Sequence, residues 1–66
     1  MSIINIQDET GDTPLHNACY GGYLRIVKIL CQKPEIDLTI RNNDGKTPIE
    51  EAQENILEWA QLLRID

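Results

Sequence analysis

An internal repeat constrains the fold of this 66-residue chain more than any other feature. The segment 8–18 returns at 42–52, a shift of 34 positions, with a glycine, a threonine, a proline and an alanine matched in register. A fixed period of roughly 20–50 residues is typical of solenoids, in which each unit buries its apolar side against the next. We therefore expect two stacked copies of one small unit.

The matched residues specify a turn followed by a helix. Gly11 can take the positive φ that closes a tight turn. Thr13 can accept a hydrogen bond from a free N–H of the first helical turn, and Pro14 suits the first helical position because its missing N–H is not needed there. Each of these residues has its counterpart 34 positions further on. The same turn and helix start are therefore predicted in both copies.

The apolar spacing predicts two antiparallel helices in each copy. The second helix of the first copy has an apolar stripe that includes Val27 and is widened by Ile26 and Ile29. The predicted helices are Pro14 to Tyr20, Leu24 to Gln32, about Pro48 to Glu54 and about Ile56 to Arg64.

Two features of the second copy allow alternatives. Trp59 corresponds to the outward Arg25 if the register is kept, whereas a rotated helix would let its indole close the stack, and we favour closure. Glu50, Glu54 and Glu58 repeat every four residues, which predicts one acidic stripe on a helix. We interpret the stripe as a solvated face, with a docking strip for a basic partner as the alternative.

The run Gly11 to Ala18, followed by Gly22 and by apolar pairs at 26–27 and 29–30, resembles an ankyrin repeat. The resemblance implies an all-α fold, a solenoid of stacked antiparallel helix pairs joined by β-turn or hairpin-like loops. It divides a single domain, 1–66, into the tail of an incomplete preceding repeat (1–7), a complete repeat (8–41) and a degenerate C-terminal capping repeat (42–66). The second copy departs from the pattern where Glu50 replaces His16 and Ile56 replaces Gly22.

The same resemblance implies a protein-binding scaffold or adaptor without catalytic activity. Partners of such repeats dock on the concave face made by the turn tips and the exposed side of each first helix. The matching candidate residues are Glu9, Thr10, Asp12, Asn17, Tyr20, Asn43, Asp44, Lys46, Glu51 and Glu54. Tyr20 is the best single anchor, because an exposed tyrosine offers large contact area and a polar tip. The alternative is that Tyr20 packs over the Gly21-Gly22 turn with Tyr23.

Charge and cysteine content narrow the partners and the compartment. Eleven acidic and six basic residues give a net charge of −5, and the basic residues are scattered singly. Nucleic acid and membrane surfaces are therefore not expected as partners. Two cysteines without a disulfide framework favour a reducing compartment, cytoplasmic or nuclear, and both thiols lie at apolar positions typical of a core.

Two patterns resemble metal sites, and we expect neither to bind one. His16 and Cys19 are three apart on one helix, but a structural zinc requires four ligands, and the resemblance makes His16 a structural residue hydrogen-bonded near Thr13. The run 40–51 has oxygen ligands at some positions of a calcium loop, yet begins at Ile40. We also find no catalytic or phosphate-binding motif, so no enzyme, cofactor or metal is predicted.

The start of the chain predicts an uncovered face. No helix pair precedes the first complete copy, so Leu15, Ala18, Leu24 and Val27 should lack a partner on their N-terminal side. The expectation is a homodimer through this face, or a partly folded chain. The alternatives to an independent adaptor are therefore a self-associating module and a C-terminal or internal fragment of a larger, possibly enzymatic, ankyrin-containing protein.

Overall fold

The structure, a computed structural model, describes residues 3–63 and is helical. A 3-10 helix, Ile3–Asn5, precedes α1 (Pro14–Gly21) and α2 (Leu24–Cys31); a second 3-10 helix, Ile49–Glu51, precedes α3 (Glu54–Leu62). No strand occurs between residues 3 and 63. The all-α prediction is confirmed.

The first copy folds as its local signals predict. Thr13 and His16 form a reciprocal capping box, in which the His16 N–H donates to Thr13 Oγ1 and the Thr13 N–H donates to His16 Nδ1. The Thr13 carbonyl accepts the Asn17 N–H, which is the bond between residues four apart that an α-helix requires. Gly22, at φ 72°, ends α1 in the left-handed conformation that glycine adopts most easily.

The predicted helix from Pro48 to Glu54 is wrong, because the second copy forms a single 3-10 turn there. Glu50 stands where the first copy has His16, and its carboxylate accepts from both the N–H and the hydroxyl of Thr47. The Thr47 hydroxyl does not cap the Glu50 N–H, which donates instead to the Thr47 carbonyl in the 3-10 pattern. The turn ends at Ala52, whose backbone is extended, with a ψ of 145°.

The last helix consequently starts earlier than predicted, at Glu54. The predicted end at Arg64 lies outside the described residues. Glu50 lies in the 3-10 turn, whereas Glu54 and Glu58 lie on α3, so these three residues do not form one helical stripe. Counted from the first residues of α2 and α3, Leu24 and Glu54, Trp59 corresponds to Ile29, and the Trp59 side chain packs partly buried against the core. The expectation that Trp59 closes the stack is confirmed, and its match with Arg25 is wrong.

The two copies are joined where α1 ends and α3 begins. The Gln53 N–H donates to the Cys19 carbonyl at 3.0 Å, and Gln53 Nε2 donates to the Tyr20 carbonyl at 2.7 Å. Asn55 Nδ2 donates to the Gly22 carbonyl at 2.9 Å. The bond from Gln53 satisfies the Tyr20 carbonyl at the end of α1, whereas the carbonyls of Cys19 and Gly22 also accept the N–H groups of Gly22 and Leu24.

The core lies between α1, α2 and α3. Leu15, Ala18, Cys19, Val27 and Ile56 are buried in one cluster, and Leu24 packs against it partly buried. The expectation that Leu15, Ala18, Leu24 and Val27 face an open N-terminal side is therefore wrong, because these residues point inward. Instead, Ile26 and Ile29 are exposed and do not widen the buried stripe of α2.

Side-chain amides tie the N-terminal segment to the return loop. Asn5 donates to the Glu35 carbonyl and accepts the Asp37 N–H. Gln7 Nε2 donates to the carbonyls of Gly11 and Arg41. The first 3-10 helix packs against α1, so this segment covers part of the first copy.

Candidate functional site

The two turns are built by equivalent residues, Asp8 and Asn42. The side-chain oxygen Oδ1 of each accepts the backbone N–H groups two and four residues further on, at 2.9–3.0 Å. The Thr10 hydroxyl also donates to Asp8, and this bond is the main cause that lowers the pKa of the Asp8 carboxyl below its ordinary value. Both turns are thereby held in one conformation.

The tips of the turns are stacked by Asn43. Its N–H donates to the Thr10 carbonyl at 2.9 Å, and its Nδ2 donates to the Glu9 carbonyl at 3.0 Å. Gly11 has a φ of 80°, and a Cβ added to it would lie 2.7 Å from the Asn43 nitrogen. Glycine is therefore required there for both backbone conformation and close approach.

Asn42 brings carboxylates of the two copies together. Its Nδ2 donates to Asp12 Oδ1 at 2.9 Å and to Glu51 Oε2 at 3.1 Å, and its side chain is buried. Without this amide the two carboxylates would repel each other with no donor between them. Asn42 was not among the predicted site residues, although its alignment with Asp8 indicated a turn role.

A polar cavity of about 320 Å³ opens beside this pair. We call it the acidic cavity; its lining residues are Asp12, His16, Asn17, Tyr20, Asp44 and Glu51. Five of the predicted candidates thus meet in one concave place, and they come from both copies. Three carboxylates, an amide and a tyrosine make it suited to a cationic side chain that donates hydrogen bonds.

The other five candidates lie outside the acidic cavity. They are Glu9, Thr10, Asn43, Lys46 and Glu54, and all of them are exposed. The Thr10 hydroxyl donates to Asp8 and Asp12, and Asn43 joins the tips of the two turns, so both side chains stabilise the turns. The Lys46 carbonyl accepts from His16 Nε2 at 2.8 Å.

The two tyrosines have different environments although both are exposed. The Tyr23 ring lies against Gly21, where an added Cβ would be 2.4 Å from a ring carbon. Tyr23 therefore packs at the Gly21-Gly22 turn, which is where the alternative prediction placed Tyr20. Tyr20 is 65% exposed on the rim of the acidic cavity.

The His16 and cysteine side chains are engaged in the fold. His16 is buried, accepts at Nδ1 from the Thr13 N–H and donates through Nε2, as the resemblance implied. Burial raises the pKa of the Cys19 thiol to about 11, so at neutral pH it is a protonated core group. Between residues 3 and 63, no group of three or more His, Cys, Asp or Glu side chains could hold a metal ion.

None of the helices in the described part of the chain has the length and apolar character needed to cross a membrane.

Comparisons with known proteins give a consistent result. Residues 3–52 match the family model described as "Ankyrin repeats (many copies)". The SMC5-SMC6 complex localization factor protein 1 of Homo sapiens is 45% identical over 53 residues, which cover 79% of this chain and 5% of that protein. Rabankyrin-5 of Mus musculus is 38% identical over 45 residues, covering 68% of this chain and 4% of that protein.

A solved structure is similar in fold as well. The crystal structure of the Osh1 ANK domain from Saccharomyces cerevisiae matches with a TM-score of 0.83 and 35% identity. The match covers 89% of this chain and 23% of that chain. The chain therefore spans only a small part of the length of each of these proteins.

Proposed function

This chain belongs to the ankyrin repeat family, and we propose that it binds another protein at the acidic cavity. Ankyrin repeats are protein-interaction modules, and the fold is typically not catalytic. For this chain we propose a binding role without catalysis.

The observation that carries the proposal is the meeting of Asp12, Asp44 and Glu51 around one concave space. Asn42 donates to one oxygen of Asp12 and one of Glu51, and the Thr10 hydroxyl donates to the other oxygen of Asp12, which leaves Glu51 Oε1 and the Asp44 carboxylate for a ligand. A guanidinium or ammonium group of a partner would fit this set, because it offers several N–H donors and opposite charge. We infer a partner segment that places an arginine or lysine side chain in the cavity.

Two further features support this assignment. Tyr20 offers an exposed ring on the rim, where it can pack on the aliphatic part of an inserted side chain or on its cation. The net charge of −5 would also attract a basic segment at a distance and speed its association.

Partner capture with matched variants tests the proposal. A protein retained by the wild-type chain should bind Asp44→Lys at least about tenfold more weakly, a loss of about 1.4 kcal/mol. Glu58→Lys makes the same charge change at an exposed position outside the cavity. Tyr20→Ala should also weaken binding, and Tyr23→Ala is its matched control, because Tyr23 does not line the cavity. Affinities that respond equally to Asp44→Lys and Glu58→Lys would contradict a site in the cavity.

Other roles expected from the sequence stay proposals. The small share of each relative that this chain covers favours a docking segment within a larger ankyrin-containing protein. Immunoblotting of the native polypeptide would test this by its size. A homodimer would have to use exposed apolar residues such as Ile26 and Ile29 in place of the buried ones, and light scattering measures it directly. We propose a cytoplasmic or nuclear location, which fluorescence imaging of a tagged native protein checks.

A further inference from the structure

We propose that a second cavity, which is apolar and lies between the two copies, binds a medium-chain aliphatic carboxylic acid. The hydrocarbon tail of the acid would occupy the cavity, and its carboxylate would lie beside Lys28 at the outer end. This site goes beyond the proposed protein-binding role, because it shares no residue with the acidic cavity.

Both copies line this space, which we call the apolar cavity and whose volume is about 350 Å³. The first copy contributes residues of α1 and α2, namely Leu15, Cys19, Val27 and Cys31. On the opposite side lie Trp59, Ala60 and Leu63 of the second copy. Because its walls come from both copies, the apolar cavity belongs to their junction and not to an end of the stack.

The shortened helix of the second copy accounts for this space. In the first copy, Leu15 and Cys19 lie on α1 and both are buried. Their counterparts are Ile49, which starts the 3-10 turn and is 43% exposed, and Gln53, which lies beyond the end of that turn. Gln53 bonds to carbonyls at the end of α1 and does not line the apolar cavity. The space between the helices of the two copies is therefore left unfilled.

The lining of the apolar cavity favours a hydrocarbon ligand. Its side chains are aliphatic, aromatic or thiol groups, which offer water few hydrogen bonds. An aliphatic cavity of roughly 150 Å³ can hold benzene. A space about twice as large would hold an unbranched chain of about eight carbons.

Lys28 determines the charge of the ligand's head group. A groove that shares three lining residues with the apolar cavity adds two polar ones, Lys28 and Gln32. Among the described residues, Lys28 is the only charged side chain that lines this groove, and within residues 3–63 it forms no ion pair. An ammonium group donates charge-assisted hydrogen bonds to a carboxylate. A carboxylate on an apolar tail therefore complements both parts of the site, whereas an amine on the same tail complements only the apolar cavity.

Titration of the full chain with octanoate tests this proposal, and Trp59, the only tryptophan, reports binding through its fluorescence. We expect octanoate to bind, and butanoate to bind at least about tenfold more weakly, because each buried methylene adds to the affinity. Octylamine has the same tail as octanoate and the opposite charge. It should bind about fivefold more weakly than octanoate, a difference typical of an exposed ion pair.

Two pairs of variants locate the ligand. Ala60→Leu adds methyl groups inside the apolar cavity and should weaken octanoate binding at least about tenfold, whereas Gln61→Leu places a leucine on α3 outside it and should change binding little. Lys28→Gln should remove the preference for octanoate over octylamine, and Lys46→Gln, the same change at the turn tip, should keep it. Lys28 is exposed, so the second pair tests the proposal even if Ala60→Leu unfolds the chain.

Equal affinities for octanoate and butanoate, or for octanoate and octylamine, would overturn the proposal, as would unchanged octanoate binding in a folded Ala60→Leu. A peptide of repeated Glu-Leu units that binds wild type but not Ala60→Leu, while octanoate does not bind, would also overturn it. The apolar cavity would then hold a leucine side chain of a protein partner. If none of these ligands binds by calorimetry, the chain itself fills the cavity and the proposal is wrong.

Discussion

The two copies of the turn share their geometry and then continue differently. Gly11 and Gly45 have φ values of 80° and 75°. In each turn, the side chain of the residue three positions before the glycine accepts backbone N–H groups. After the threonine and proline, however, the first copy forms α1 and the second forms a single 3-10 turn. Equal start signals therefore do not ensure equal helices.

The difference lies in the third residue after the threonine. His16 Nδ1 accepts the Thr13 N–H and lies 2.8 Å from the Thr13 hydroxyl oxygen, which in turn accepts the His16 N–H, and the Thr13 carbonyl accepts the α-helical bond from Asn17. Glu50 likewise accepts the N–H and the hydroxyl of Thr47, but its own N–H donates to the Thr47 carbonyl. The two copies thus differ in whether the N–H of this residue bonds to the threonine hydroxyl, as in α1, or to the threonine carbonyl, as in the 3-10 turn.

Matched core substitutions should give the largest contrast between the copies. Leu15 and Ile49 are equivalent in sequence, yet they are 2% and 43% exposed. Leu15→Ala should lower the free energy of unfolding by about 3 kcal/mol, because it leaves a buried cavity, and Ile49→Ala by less than about 1 kcal/mol. Urea denaturation followed by far-ultraviolet circular dichroism measures both. Similar losses would mean that the second copy buries its first apolar residue as the first copy does.

Alkaline pH should weaken the first copy selectively, since Cys19 corresponds to Gln53, which does not ionise. The buried thiol has its pKa raised from 9.0 to about 11, so the protonated form is favoured in the folded state. Its contribution to stability is complete below pH 9 and is lost as the pH rises toward 11. Over that interval the wild type should lose about 2 kcal/mol more than Cys19→Ala. Parallel pH profiles of the two proteins would contradict this expectation.

Removal of the capping side chains should give the smallest contrast. His16→Ala should lower the free energy of unfolding by about 1–2 kcal/mol, because the capping box and the bond to the Lys46 carbonyl are both lost. Glu50→Ala should change stability little, because that carboxylate is exposed. Thermal melting of the two variants at one pH checks the order. A larger effect at Glu50 would show that its bonds to Thr47 stabilise the second turn more than its exposure suggests.

The first copy could be predicted because its signals are local. Gly11, Thr13 and Pro14 determine the turn and the start of α1 within a few residues, and Gly22 ends the helix. The second copy has no such ending glycine, and α3 begins where Ile56 can enter the core and Gln53 and Asn55 can reach carbonyls of the first copy. Those contacts join residues more than 30 positions apart, so periodicity alone could not locate them.

The candidate site was likewise predictable only in part. The resemblance to ankyrin repeats was enough to place Asp12, Asp44 and Glu51 on one expected face. That Asn42 would hold two of these carboxylates through one amide depends on side-chain geometry, which the sequence does not specify. The exposure of Ile26 and Ile29 was missed because a helical stripe indicates apolar character, and its edges are buried only if a neighbouring element covers them.

The side-chain amide bonds between the copies run in one direction, from the second copy to the first. Side-chain amides of the second copy donate to the first, from Asn42, Asn43, Gln53 and Asn55. The residues 34 positions earlier are Asp8, Glu9, Cys19 and Gly21, and none of them has an amide to donate. A rearrangement that exchanged the two units would therefore lose these four side-chain bonds. The two units share one pattern, but the amides that join them belong to the second unit.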